Sequence, residues 1–220
     1  MAEKYLDVYW TAGFHPYYAI KADAGLVHRM EEALRHPRCV AVGEIGLDYH
    51  RDDSPREVQQ RVLDDLVKTA VRANKPIILH CRESGPGKTD AQRDMLGVLK
   101  SMPAWAPGSR PAGVAHCFQG SEETAKTLIE QGFLIGVDAP ITYPAASTLR
   151  ALMAQIPLDS LVLETDSPYL PPQSHRGKRN EPTHIPVIAR ALAEIKQVSL
   201  ETIAAVTTDN AKRLFQMTPA

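Results

Sequence analysis

An α/β fold of parallel strands alternating with helices is predicted by three observations. Short aliphatic runs end in residues able to bind a metal, helical periodicity fills the gaps between them, and turn residues mark the junctions. Val40-Ala-Val-Gly leads to Glu44, Pro76-Ile-Ile-Leu to His80, Gly113-Val-Ala to His116, and Leu161-Val-Leu-Glu-Thr to Asp166. A run of this kind, followed by Gly, Pro, Ser or charge, reads as a buried parallel strand whose C-terminal end meets solvent. Carboxylate, imidazole, imidazole and carboxylate are therefore expected at one rim.

In chain order, strands are expected near Val8 to Gly13, Val40 to Ile45, Ile77 to Cys81, Gly113 to Cys117, Leu134 to Val137 and Leu161 to Thr165. Between the second and third, Val58, Val62, Leu63, Leu66, Val67 and Ala70 recur at helical intervals, and Asn74-Lys-Pro76 stops them. Before the fifth, Ser121 suits an N-cap, Glu122 and Glu123 suit the positive end of a first turn, and Gly132 ends the helix. Two further helices are expected after Pro182. Six strands fall one or two units short of a complete (β/α)8 barrel of about 250 residues.

The stretches Ser84 to Thr89, Pro103 to Pro111 and Pro168 to Asn180 read as loops of one domain spanning residues 1–220. Ser84-Gly-Pro-Gly-Lys-Thr89 imitates the end of a phosphate-binding loop, but the motif needs Gly where Arg82 stands, so a nucleotide site is excluded. A loop beside the site is the better reading.

Composition describes an enzyme-sized soluble body: 220 residues, 44% hydrophobic and 23% charged, with no apolar stretch near the length of a membrane span. No signal peptide is visible, and three cysteines without CxxC spacing suit a reduced, cytoplasmic setting. A net charge of -1 argues against a broad nucleic-acid-coating face, while permitting a local phosphate-binding patch.

Seven segments in order carry a family resemblance: Gly13-Phe-His-Pro16, Gly43-Glu-Ile-Gly-Leu-Asp48, His80-Cys-Arg82, His116-Cys-Phe-Gln-Gly-Ser121, Glu164-Thr-Asp-Ser-Pro-Tyr169, Arg176-Gly-Lys-Arg-Asn-Glu-Pro182 and Thr208-Asp-Asn-Ala-Lys-Arg-Leu-Phe215. Through them the chain resembles the TatD-family metal-dependent hydrolases, which are TIM-type (β/α)8 barrels of the metal-dependent hydrolase kind. The family begins with a strand ending in His-x-His, which is absent here. The resemblance thus implies an N-terminally truncated barrel of about six strands. It also implies an unpaired, uncharged edge at Val8 to Gly13 that would favour self-association.

The resemblance implies a two-metal centre in which Glu44 bridges, His80 and His116 complete one site, and Asp166 serves the other. With the His-x-His pair missing, one divalent ion (Mg, Mn or Zn) is expected in place of two. Glu44 and Asp166 are the expected catalytic carboxylates, Asp166 orienting or deprotonating the attacking water. His15, Arg82, Arg176, Lys178 and Arg179 are the expected substrate contacts, since guanidinium and ammonium groups beside a metal suit a phosphodiester. Asp48 reads as a loop residue acting as a structural hydrogen-bond acceptor. Cys81 and Cys117, following their ligands along a strand, read as small core residues facing away from the rim.

The implied activity is exonuclease-type hydrolysis of DNA or another phosphodiester, weakened by the missing ligands. Two other functions fit the same sequence: a catalytically inactive remnant acting as an interaction protein, and a deacylase or amidohydrolase. The run Arg176 to Arg179 speaks against the last.

Overall fold

A computed structural model describes residues 4–5, 7–51, 53–102 and 110–217 together with residue 2. The chain divides into two compact units, Met1–Ala115 with Leu214–Gln216, and His116–Arg213 with Met217–Ala220. Most of the expected loop from Pro103 to Pro111 lies outside the described residues.

In the first unit four parallel strands follow chain order: β1 (Trp10–Ala12), β2 (Cys39–Asp48), β3 (Ile77–Arg82) and β4 (Gly113–Ala115). They alternate with α1 (Leu26–Leu34), α2 (Arg56–Arg72) and α3 (Asp90–Leu99). The periodic face expected of α2 is the buried one: Val62, Leu63, Leu66, Val67 and Ala70 are all inaccessible. Each large aliphatic side chain so buried contributes roughly 1.5–3 kcal/mol. On β2 the burial is almost continuous from Cys39 to Asp48, as a strand covered on both faces requires.

The second unit holds β5 (Phe133–Val137) and β6 (Leu161–Leu163), paired in parallel, with α4 (Glu122–Glu130), α5 (Ser147–Gln155), α6 (Ile185–Lys196) and all but the last two residues of α7 (Leu200–Phe215). Ser121 caps α4 as expected, its hydroxyl accepting the Thr124 N–H at 3.1 Å. Phe133, Ile135, Leu161, Leu128, Met153 and Leu192 are buried in this unit. The parallel α/β class predicted from the sequence is the one observed. Among the described residues no helix is long and apolar enough to cross a membrane.

Four strand boundaries differ from expectation by two residues or more, each for a local reason. The first strand starts at Trp10 because the backbone before it turns to Arg38, whose Nη1 donates to the carbonyls of Ala2, Tyr5 and Val8. Some of the backbone expected to be unpaired is satisfied in this way. The second strand runs on to Asp48, which is a strand residue and not a loop residue. Gly46 makes this extension possible, since any Cβ there would overlap the His80 carbonyl of the paired strand.

The strands before His116 and Asp166 end early, at Ala115 and Leu163. Cys117 and Asp166 adopt left-handed backbone, with φ of 48° and 56°. Such conformations are costly for residues with a Cβ and break the strand. The alternation argument for Cys117 therefore does not hold, because it lies in a turn and not on β4.

Candidate metal centre

In the first unit β1, β2 and β3 converge on His15, Glu44 and His80. One ligand atom from each lies within 4.8 Å of those of the other two. Gly13 permits this approach, because a side chain there would overlap the backbone of Gly43 and Glu44. His15 caps the short 3-10 helix Pro16–Lys21, its Nδ1 accepting the Tyr17 N–H, and its ring packs edge-on to that of His80 at 4.6 Å. His15, expected on the substrate side, also lies among the residues whose ligand atoms could hold an ion. Its position just past a strand end was the available signal.

His80 is gripped at both nitrogens. Nδ1 lies 2.7 Å from Glu44 Oε1, and Nε2 lies 3.0 Å from Asp48 Oδ2. Burial opposes a charge on this ring, but hydrogen bonds to Asp48 and Glu44 outweigh it and raise its pKa. Asp48 is fully buried and also accepts the N–H groups of His50 and Arg51. Burial alone would raise its carboxyl, yet the hydrogen bonds from His80, Tyr17 and Arg51 hold it at about 2. The Tyr17 hydroxyl donates to Asp48 and accepts from Arg82, and burial together with that donated bond pushes the phenol up. Arg82 itself is exposed.

In the second unit His116 follows β4, and Glu164 and Asp166 follow β6. Glu164 Oε2 lies 2.7 Å from His116 Nδ1, while Oε1 accepts the Cys117 N–H. His116 Nε2 is 3.5 Å from Asp166 Oδ1. Asp138, immediately after β5, is buried and hydrogen-bonded by the Cys117 thiol, and its Oδ2 has no partner among the described residues. Burial first, then the charge of Glu164, pushes its carboxyl up to about 7. Burial raises the Cys117 and Cys81 thiols as well, so neither presents a thiolate.

Arg176, Lys178 and Arg179 are exposed on the segment after Asp166, with the Arg176 guanidinium 4.7 Å over the Tyr143 ring. Asn180 anchors the end of this segment: its buried amide donates to the carbonyls of Thr165, Tyr169 and Leu170, and its Oδ1 accepts the Glu181 N–H.

Two imidazoles and a carboxylate converging at this spacing fit a divalent ion bound through nitrogen and oxygen. The surrounding pattern also fits, because ligating histidines ordinarily donate their other nitrogen to a carboxylate. His80 is held at Nε2 and turns Nδ1 to Glu44, whereas His116 is held at Nδ1 and turns Nε2 to Asp166. Tyr17, Asp138 and Glu164 were not among the expected site residues. Glu164, two residues before Asp166, and Asp138, closing an aliphatic run, both carried a readable signal.

The family described as TatD related DNase matches residues 1–216. An uncharacterized metal-dependent hydrolase of Bacillus subtilis, YabD, is 39% identical over 217 residues, which is 99% of this chain and 81% of that protein. A Pectobacterium parmentieri protein named 3'-5' ssDNA/RNA exonuclease TatD is 33% identical, covering 99% of this chain and 82% of its own length. The crystal structure of the TatD homologue YjjV from Escherichia coli superposes with a TM-score of 0.87 at 35% identity, over 99% of this chain and 80% of the other. Motifs, strand-end carboxylates and histidines, and matches along almost the whole chain agree, and the chain belongs to the TatD-related DNase family of TIM-type metal-dependent hydrolases.

Proposed function

We propose that this chain is a metal-dependent phosphodiesterase that removes nucleotides from a nucleic-acid strand. The observation that carries the reading is the paired support of two histidines, His80 by Asp48 and His116 by Glu164, around ligand-type atoms. Such support has no purpose in a remnant acting only as a scaffold. The name of the Pectobacterium relative, a single-strand DNA and RNA exonuclease, supports the choice of substrate. The exposed cations Arg82, Arg176, Lys178 and Arg179 suit phosphate better than an amide or a simple ester.

In the first unit His15, Glu44 and His80 are proposed ligands of divalent metal, and in the second unit His116 and Asp166 are. When bound, such an ion lowers the pKa of coordinated water and polarises the phosphoryl oxygen. The chain's own residues supply the remainder. Asp48 fixes the orientation and tautomer of His80 in the first unit, where Arg82 offers a cation to phosphate; in the second, Glu164 does the same for His116, Asp166 accepts the proton of the attacking water, and the 176–179 segment offers further cations.

The test is hydrolysis of a single-stranded oligonucleotide, an ester and an amide, each with added Mg²⁺, Mn²⁺ or Zn²⁺. A ladder of shortened oligonucleotides that disappears in Glu44→Gln and His80→Ala is expected. Turnover of the ester or amide alone would overturn the phosphodiesterase reading.

A further inference from the structure

Beside His15 and His80, the 3-10 helix Pro16–Lys21 exposes side chains that the metal centre does not use. A 3-10 helix has three residues per turn, so positions i and i+3 eclipse one another. Pro16 and Ala19 form the buried ridge. Tyr17 and Ile20 form the second, and Tyr18 and Lys21 the third. Ile20 is 55% exposed and Tyr18 53%, so two large side chains reach solvent on one short element.

The exposed Tyr18 ring and the half-buried Tyr17 ring each carry a cation. Lys21 Nζ sits 5.3 Å over the Tyr18 ring, and the Arg51 guanidinium sits 4.9 Å over that of Tyr17. The helix is held rigidly: the buried Ser54 hydroxyl accepts the Ile20 N–H at 3.0 Å and donates to the Tyr17 carbonyl at 2.9 Å. At its inner end the Tyr17 ring lies 4.2 Å from His15 and 6.4 Å from His80. The patch is thus continuous with the candidate metal centre. Flat rings and an aliphatic side chain interleaved with cations match a polymer of flat bases joined by phosphates. They match a lipid headgroup or an acidic peptide less well, because neither has planar groups to stack.

We propose that Tyr18, Ile20 and Lys21, with Arg51 on Tyr17, form a platform on which bases of a single-stranded nucleic acid stack as the strand approaches the metal centre. The proposal rests on the phosphodiesterase reading and adds to it the surface that selects unpaired strands. A duplex hides its base faces and leaves such a platform empty.

The full chain is tested by fluorescence anisotropy with labelled oligothymidylate and an abasic strand of equal length, alongside hydrolysis of bis(p-nitrophenyl) phosphate with Mn²⁺. Tyr18→Ala is expected to weaken oligothymidylate binding about tenfold, Tyr18→Phe to restore it, and neither to alter binding of the abasic strand. Unchanged oligothymidylate binding in both Tyr18→Ala and Ile20→Ala, or an equal loss with the abasic strand, would overturn the platform. A wild-type protein that cleaves no diester refutes the phosphodiesterase reading instead, while the base-dependent binding loss still judges the platform.

Discussion

Asp48 Oδ2 lies 3.0 Å from His80 Nε2, so a fully buried carboxylate holds the nitrogen of the ring opposite the one that faces Glu44. Both ring nitrogens face carboxylates, whose oxygens accept hydrogen bonds. The bond to Asp48 would hold the ring in place while Nδ1, on the Glu44 side, would be the nitrogen available to a divalent ion. Asp48→Asn, which retains the volume but lowers the acceptor strength, is expected to weaken divalent-metal affinity about 10- to 100-fold. Isothermal titration with Mn²⁺ measures this, and an unchanged affinity would remove Asp48 from the support of the centre.

Glu164 plays the corresponding part for His116, at the other ring nitrogen. Glu164→Gln is expected to reduce oligonucleotide hydrolysis by about 10- to 100-fold, with a smaller effect on KM, because it perturbs the tautomer and leaves the groups that bind phosphate in place. Steady-state kinetics on an oligonucleotide series would show the split. A loss confined to KM would argue against this positioning role.

Asp138 links the second unit to pH. Its carboxyl, pushed up to about 7 by burial and by Glu164, lies well above the ordinary value of 3.8. Between those two values the folded chain keeps a proton that the unfolded chain has released. Stability therefore falls as pH rises through that window, by a total on the order of 4 kcal/mol. In the chelator-treated protein, Asp138→Asn is expected to remove much of the drop in Tm between about pH 5 and about pH 8. Parallel Tm curves for the two proteins would refute the assignment.

The exposed cations after Asp166 predict a salt effect. Replacing Arg176, Lys178 and Arg179 by Ala should weaken single-strand binding and flatten the slope of log K against log salt by roughly 2, at about 0.7 for each phosphate no longer neutralised. Arg176 also covers the Tyr143 ring, so the single Arg176→Ala variant is expected to cost less than about 1 kcal/mol of stability. An unchanged slope in the triple variant would return this segment to ordinary solvated surface.

Metal should stabilise the fold only through intact ligands. At about 100 times its Kd, Mn²⁺ should stabilise the wild-type chain by about 2.7 kcal/mol, and His15→Ala or His80→Ala should abolish most of the rise in Tm. Full retention of the rise in both variants would show that the His15, Glu44 and His80 cluster is not a metal site.

The residues themselves determine the strand-helix alternation, because aliphatic runs and helical periodicity are short-range patterns set by which side chains can be buried. They also place His80, His116 and Asp166 near the C-terminal ends of β3, β4 and β6 and Ser121 at the start of α4, whereas β2 continues four residues past Glu44. What the tertiary structure alone decides is partnership. Tyr17, Asp48 and His80 are far apart in sequence, and Asp48 becomes a buried support only because Gly46 lets β2 continue against β3. His15 joins Glu44 and His80 for a similar reason, since only the pairing of β1 with β2 brings it within reach. The left-handed turns at Cys117 and Asp166 were equally invisible, because a non-glycine residue adopts such a backbone only where its surroundings impose it. Distance along the chain carries no information about which carboxylate reaches which ring nitrogen; that is set by strand register and by the space a missing Cβ leaves.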